Sequence, residues 1–277
     1  MVDAVTAQVV RNRVSSLMQE MHYHFYRSGY STIIRESRDF SCVIVDRRGG
    51  LIVAPPMFFH APVYRHLVEN ILRHYGGDIG GGDMFVCNHP YEGGLPHVSD
   101  MAFIAPIFSG AALVGFSGSI AHKADIGGTM PGSTSANATE IFQEGLLLPP
   151  VKIFSRRSFN SDLERIILAN SRQPDLVRGD MHAQMAATRM GAERILDTCE
   201  RFGAETVMDA FAALLTAAAA ELRAAIKLLP DGEASAQGFI DNDGVELDRP
   251  VRFAVTVRVK NGEIEFDFSG CDRQARG

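Results

Sequence analysis

The chain has no Cys-x-x-Cys pair, and its four cysteines, Cys42, Cys87, Cys199 and Cys271, are scattered over 277 residues. This excludes a zinc knuckle and argues against a disulfide framework; reduced thiols in a cytoplasmic protein are the expectation. No run of Lys or Arg exceeds two residues, and the net charge is −6. Neither a polybasic membrane patch nor the basic footprint of a general nucleic-acid binder is present. The opening Met1-Val2-Asp3-Ala4-Val5-Thr6 lacks the basic and apolar regions of a signal peptide. The apolar segment from Phe211 to Ala220 is too short and too Ala-rich to span a bilayer. The glycine-rich stretch from Gly76 to Asp83 lacks the Lys-Ser/Thr of a P-loop, so no nucleotide phosphate is assigned to it. A turn with positive φ, feeding a strand from Met84 to Cys87, is its expected use.

With 46% apolar and 22% charged residues, the chain has the composition of a globular protein with room for one large domain or two smaller ones. Helical periodicity (Val5, Val9, Leu17, Met21, Phe25) predicts a helix over 5–28, with Asp3 as N-cap and Gly29 as its stop. Ser31 to Ser37 reads as a short helix, Ser41 to Asp46 as a strand, and Leu51 to Ala54 as its return. Ala61 to Tyr75 reads as a helix. Helices follow over 161–170, with Ser161 as N-cap and Glu164 completing a capping box, over 174–202, and over 205–229. The last two are expected to form an antiparallel pair. Strands return from Ala234 to Asp241 and in a hairpin turning at Asn261-Gly262. The fold class is therefore α+β: mixed strands and hairpins, a long antiparallel helix pair, then a β-hairpin. The expected sub-regions of 1–277 are 1–155, a helical 156–232, and a β region 233–277.

The chemistry concentrates between Asn88 and Asp125. Two His-x-x-Asp units lie there, His97/Asp100 and His122/Asp125, with His89 upstream. Imidazole nitrogen and carboxylate oxygen are donors that borderline and hard divalent cations accept. Met101 to Ile107 and Ala112 to Ile120 read as a hairpin turning at Ser109-Gly110. Such a hairpin would bring its two ends, and with them both units, to one place. The alternative is that these side chains only cap strands and turns. Glu140 and Glu144, four apart, would share one face of a short helix, as a base, an extra ligand, or a solvated face. His22 and His24, two apart, cannot chelate one metal from a regular helix. Cys87 reads as a buried strand cysteine, with a soft ligand near His89 as the alternative, and Asp180 and Gln184, four apart, read as exposed by default, with facing the site as the alternative.

Several stretches, in this order, resemble the hydantoinase B family, which includes the B component of N-methylhydantoinase, the C-terminal half of 5-oxoprolinase and a component of acetone carboxylase. They include Val9 to Arg13, Glu36-Ser37-Arg38-Asp39-Phe40-Ser41, Asn88-His89-Pro90-Tyr91-Glu92-Gly93-Gly94, His97-Val98-Ser99-Asp100, Ala121-His122-Lys123-Ala124-Asp125, Glu140 to Gly145, Asn170-Ser171-Arg172 and Asp267-Phe268-Ser269-Gly270. The resemblance implies a divalent metal (Mn, Fe or Zn) held by His97, Asp100, His122 and Asp125, with His89 as a fifth candidate. It implies ATP used through a hydantoinase A-type partner in a hetero-oligomer, and a small cyclic amide as substrate. In the family the A-type partner is thought to phosphorylate a carbonyl oxygen before ring hydrolysis or carboxylation. Lys123 and Glu144 are the candidates for substrate binding or acid–base work. The family pattern has Asp at the position of His89 and a second His at that of Lys123; a protonated Lys cannot ligate but can hold an anion. Relatives continue beyond the Asp-Phe-Ser-Gly motif, so the chain reads as the N-terminal part of a hydantoinase B-type protein. Besides the amide hydrolase, a carboxylase component and a non-catalytic assembly module fit this pattern.

Overall fold

The computed structural model describes residues 2–55, 60–133 and 135–277. The chain divides into two compact units, one of Met1–Thr134 with Glu144–Leu215, the other of Ser135–Gln143 with Thr216–Gly277.

The first unit begins with helix α1 (Ala4–Ser28). Asp3 caps it, its Oδ1 accepting from the amides of Val5 (3.0 Å) and Thr6 (2.9 Å). The buried stripe is Val10, Val14, Leu17, Met21 and Phe25. Val5 and Val9, expected on that face, are exposed at 73% and 39%: the same period fits two adjacent stripes, and packing selected the neighbouring one. A π-helical turn (Ile33–Ser37) takes the place of the short helix and ends at Arg38 with φ 53°.

Strand β1 (Phe40–Asp46) follows. Its expected return strand, 51–54, is reduced to one bridge between Val45 and Leu51. Asp46 Oδ1 takes the amides of Arg48 and Gly50, and Pro55 has no amide to extend a ladder. Helix α2 (Ala61–Tyr75), strand β2 (Met84–Cys87) and the single turn α3 (Pro90–Gly93) lead into strands β3 (Asp100–Ser109) and β4 (Ala112–His122). β5 (Val151–Ser155) and β6 (Ser158–Phe159) complete an antiparallel sheet in the order β1-β4-β3-β2-β5-β6.

Alternation along β1 shows how the sheet is covered. Phe40, Cys42 and Ile44 pack with α1 and the later helix α5 (Pro174–Phe202), whereas Val43 and Val45 pack with Val63, Tyr64, Leu67 and Ile71 of α2. Fully burying one such Phe or Leu side chain contributes about 1.5–3 kcal/mol. α5 approaches β4 closely at Gly191, where an added Cβ would lie 2.3 Å from Ser117 Oγ.

Helix α4 (Ser161–Ala169) is capped one residue earlier than expected, by Asn160, whose Oδ1 accepts from Leu163 N at 3.0 Å. Helix α6 (Ala204–Ile226) starts after Gly203, where the direction turns by 109°. The two long helices meet at an open angle, so the expected close antiparallel pair is corrected, because Gly203 at φ 85° redirects the chain. Among the described residues no single helix is long and apolar enough to cross a membrane.

The second unit contains the antiparallel sheet β7 (Gly232–Ile240), β8 (Val251–Lys260) and β9 (Glu263–Asp267). Asn261 and Gly262 turn β8 into β9 with φ 53° and 75°, as a two-residue hairpin of this hand requires. The two sheets with their helices make the fold α+β.

Candidate metal centre

The β3–β4 register places Asp100 directly opposite His122. His97 stands one tight turn before Asp100, whose amide donates to the His97 carbonyl at 3.2 Å. One donor atom from each of His97, Asp100 and His122 lies within 4.8 Å of the others. Asp100 Oδ2 is 3.4 Å from His97 Nε2, and Oδ1 is 3.4 Å from His122 Nδ1. The Asp100 side chain is 3% exposed, His122 18% and His97 44%, so the group runs from the sheet interior to the surface. Asp39, just before β1, approaches from the other side, its Oδ2 4.0 Å from His122 Nδ1. His60, at the start of α2, is fully buried with Nε2 3.7 Å from Asp100 Oδ2.

The electrostatics favour an ionised carboxylate. Burial alone would raise the Asp100 carboxyl; the approaches of His122 and His60 and the charge of His97 outweigh it and hold the group below the usual range. Yet Asp100 Oδ1 and His122 Nδ1, though close, are not aligned for a hydrogen bond, and both are buried without a hydrogen-bond partner. Each such atom costs about 1–3 kcal/mol. Two imidazoles and a carboxylate, with an orphaned nitrogen and an orphaned oxygen facing one another, form a donor set that fits a divalent cation of the Zn, Mn or Fe type.

The other predicted residues lie elsewhere. Asp125 is buried, and its oxygens accept from the amides of Gly127 (3.1 Å), Gly132 (2.9 Å) and Arg172 (2.9 Å) and from Arg172 Nη1 (2.9 Å). Burial raises its carboxyl, and these bonds more than reverse that, leaving it below the usual range. His89 caps α3, Nδ1 accepting from Tyr91 N and Glu92 N at 3.2 Å. Lys123 is fully buried, Nζ donating to Gln184 Oε1 at 2.7 Å and to the Ala121 carbonyl at 3.2 Å. Burial pulls its ammonium down to about 8, against the charges of Asp180, Asp100 and Asp39. Glu144 is half-buried. The short helix expected around it is a 3-10 turn, Ile141–Gln143, because Gln143 Oε1 takes the amides of Thr139 and Glu140. Cys87 is a buried thiol, pushed up to about 12 by burial. Asp180 and Gln184, expected on an exposed face, are fully buried. Asp180 Oδ1 takes the amides of Tyr30 and Ser31, and Gln184 Nε2 donates to the carbonyls of Met101 and Ser119.

Asp39 and His60 were not singled out from the sequence. Asp39 lies in the Glu36–Ser41 stretch that carried part of the resemblance; nothing in the spacing around His60 marks it.

The low-lying carboxyls set an acid limit. A depressed Asp contributes stability that is complete above its unfolded value of about 4 and is lost as pH falls through its folded value. The metal-free protein is therefore expected to lose thermal stability steadily on acidification below about pH 4. Asp125→Asn should flatten that dependence in a scanning calorimetry series; an unchanged profile would contradict the assignment.

A family model, hydantoinase B/oxoprolinase, matches residues 3–277. The chain belongs to this family. A Pseudomonas sp. (strain NS671) protein, named as the putative B component of a D-/L-hydantoinase, is 36% identical over 99% of the chain and 48% of its own length. The beta component of the Pseudomonas jessenii caprolactamase is 27% identical over 88% of the chain and 42% of its own length. The chain thus spans about half the length, or less, of these curated relatives. Among solved structures, the ATP-dependent caprolactamase of Pseudomonas jessenii superposes with a TM-score of 0.90 at 24% identity, over 100% of this chain and 47% of that one. A nucleotide-free acetone carboxylase superposes with a TM-score of 0.87 at 18% identity, over 99% of this chain and 38% of that one. Both share the fold of this hydantoinase B chain.

Proposed function

We propose that the chain is the metal-bearing part of a hydantoinase B-type protein in an ATP-dependent hydrolase that opens cyclic amides of the hydantoin or 5-oxoproline type, working with an A-type ATP-binding partner. The observation that carries the reading is the pair of buried, unpartnered atoms Asp100 Oδ1 and His122 Nδ1 beside the half-exposed His97. His97, Asp100 and His122 would hold the cation, with Asp39 within reach of His122. A divalent cation there would supply Lewis acidity toward a carbonyl oxygen or a more acidic bound water.

The protein's own groups have separable tasks in this reading. Asp100 stays ionised among the imidazoles. His97 keeps the group open to a ligand. Asp125 and Arg172 hold the glycine-rich loop from Gly127 to Gly132 in one shape beside β4, Arg172 also donating to the carbonyls of Gly127 and Met130. Lys123, sequestered against Gln184, contributes charge from within the core rather than a reacting ammonium. Among the four cysteines no disulfide is formed and three are buried, which supports a reducing, cytoplasmic setting.

The test is elemental analysis of the purified chain beside a His97→Ala/His122→Ala variant, followed by ATP-dependent turnover of hydantoin and 5-oxoproline with an A-type partner. About one equivalent of Zn, Mn or Fe in the wild type, lost in a folded variant, is expected. A folded wild type that refuses added metal would sink the reading and favour a non-catalytic assembly module. The acetone carboxylase fold match motivates a second arm: bicarbonate-dependent ATP consumption with a ketone, and none with the amides, would move the assignment to a carboxylase component.

A further inference from the structure

Next to Asp100, on the α2 face of the sheet, lies a line of polar side chains in an otherwise apolar layer. Ser41 of β1 and His60 and Tyr64 of α2 are all fully buried. Ser41 Oγ is 2.9 Å from His60 Nδ1 and 2.8 Å from the Tyr64 hydroxyl. His60 Nε2 then faces Asp100 Oδ2 at 3.7 Å. Ser41 pairs in register with Ile120, two residues before His122, so the line is tied to both strands of the site. Buried polar groups destabilise a core unless their hydrogen bonds are made, and the two bonds of Ser41 hold His60 and Tyr64 in one arrangement.

The direction of the line can be worked out from its donors. Burial pushes the Tyr64 phenol well above its ordinary value, so it keeps its hydrogen. That hydrogen has the Ser41 hydroxyl at 2.8 Å and the more distant Ser41 carbonyl at 3.3 Å as acceptors. Given to the hydroxyl, it leaves the Ser41 hydrogen for His60 Nδ1. Nδ1 becomes the acceptor, and the ring proton sits on Nε2, toward Asp100.

We infer that Tyr64, Ser41 and His60 are positioning residues for Asp100, fixing the imidazole proton on the side of the carboxylate and so the orientation in which Asp100 meets a cation. The inference rests on the metal-site reading above. Partners one shell out from a metal orient its ligands, and their loss typically weakens binding about 10–100-fold.

The experiment uses the full chain, with zinc affinity read by chelator competition and the visible absorption of the Co(II)-loaded protein read as a signature of ligand geometry. Ser41→Ala and Tyr64→Phe are expected to bind zinc about 10-fold or more weakly and to shift the Co(II) bands. Ser41→Thr, which keeps the hydroxyl, should recover affinity and spectrum. Ser117→Ala is the packing control: Ser117 is also buried on the sheet, but its Oγ has no hydrogen-bond partner, and its removal should change neither readout. If Ser41→Ala does not fold, Tyr64→Phe, which keeps the ring, decides the matter. Wild-type affinity and spectrum in both folded variants would overturn the inference while leaving the metal site intact. A wild type that binds neither zinc nor cobalt would overturn the metal-site reading itself and this inference with it.

Discussion

Asp100→Asn is expected to weaken metal binding by more than about 100-fold, beyond the range typical of outer-shell changes, and to abolish ATP-coupled amide turnover with it. The substitution keeps size and shape, so the loss follows from chemistry. Oδ2 stands between His97 and His60, and Oδ1 faces His122. An amide can offer one oxygen to this group, and its NH2 would be turned toward another imidazole. The charge matters as well: the carboxyl lies below its usual range, so the folded protein favours the anion over the neutral form. Asn removes that favourable interaction, and the metal-free variant should melt at a lower temperature than the metal-free wild type at neutral pH. Elemental analysis and thermal unfolding followed by circular dichroism measure the two effects separately. A variant that retains one equivalent of metal would remove Asp100 from the donor set.

Asp125→Ala should have the larger effect on stability and little on metal content. It leaves the amides of Gly127, Gly132 and Arg172 without their acceptor and breaks the contact with the Arg172 guanidinium. The Asp125 side chain is 1% exposed, so water does not readily replace it, whereas Arg172, 43% exposed, can be resolvated. The expected cost is about 3 kcal/mol, the lower end for breaking one partner of a buried pair. Urea unfolding with linear extrapolation measures it. Full stability combined with loss of metal would return Asp125 to the ligands.

These two aspartates show what was legible in the sequence. Both stand in His-x-x-Asp units, and spacing treats them alike. The hairpin was readable because two apolar runs, 101–107 and 112–120, flank a Ser109-Gly110 turn, and closure carries His97, Asp100 and His122 along. What spacing cannot show is competition for the same oxygens. Glycines and an arginine near Asp125 supply four donors, and the first amides of α3 capture His89. Asp39 and His60 reach the site through the β1–β4 pairing and the placement of α2, relations between distant parts of the chain. The pair Asp180 and Gln184 misleads for a different reason. Its spacing is that of a solvent-facing helix side, yet both residues are buried, as is Thr188 one turn on, bonded to Ser119 at 2.7 Å. The ammonium of Lys123 and the carbonyls of Met101 and Ser119 partner Gln184, and the amides of Tyr30 and Ser31 partner Asp180 Oδ1, in place of water.

The direct pairing of Asp100 with His122 also has a meaning in time. A chain emerging from the ribosome presents His97 through His122 as one uninterrupted stretch, and a hairpin closes with little loop entropy. The main donors can therefore meet before α5, the layer that later covers β3 and β4, has been synthesised. Asp39 is already upstream by then, but Gln184, which locks Met101 and Ser119 from α5, arrives last. Metal present during synthesis would meet a nascent two-strand clamp, and α5 would pack afterwards on the opposite face of the hairpin, with Ala121 and Ser119, while Asp100 and His122 face α2.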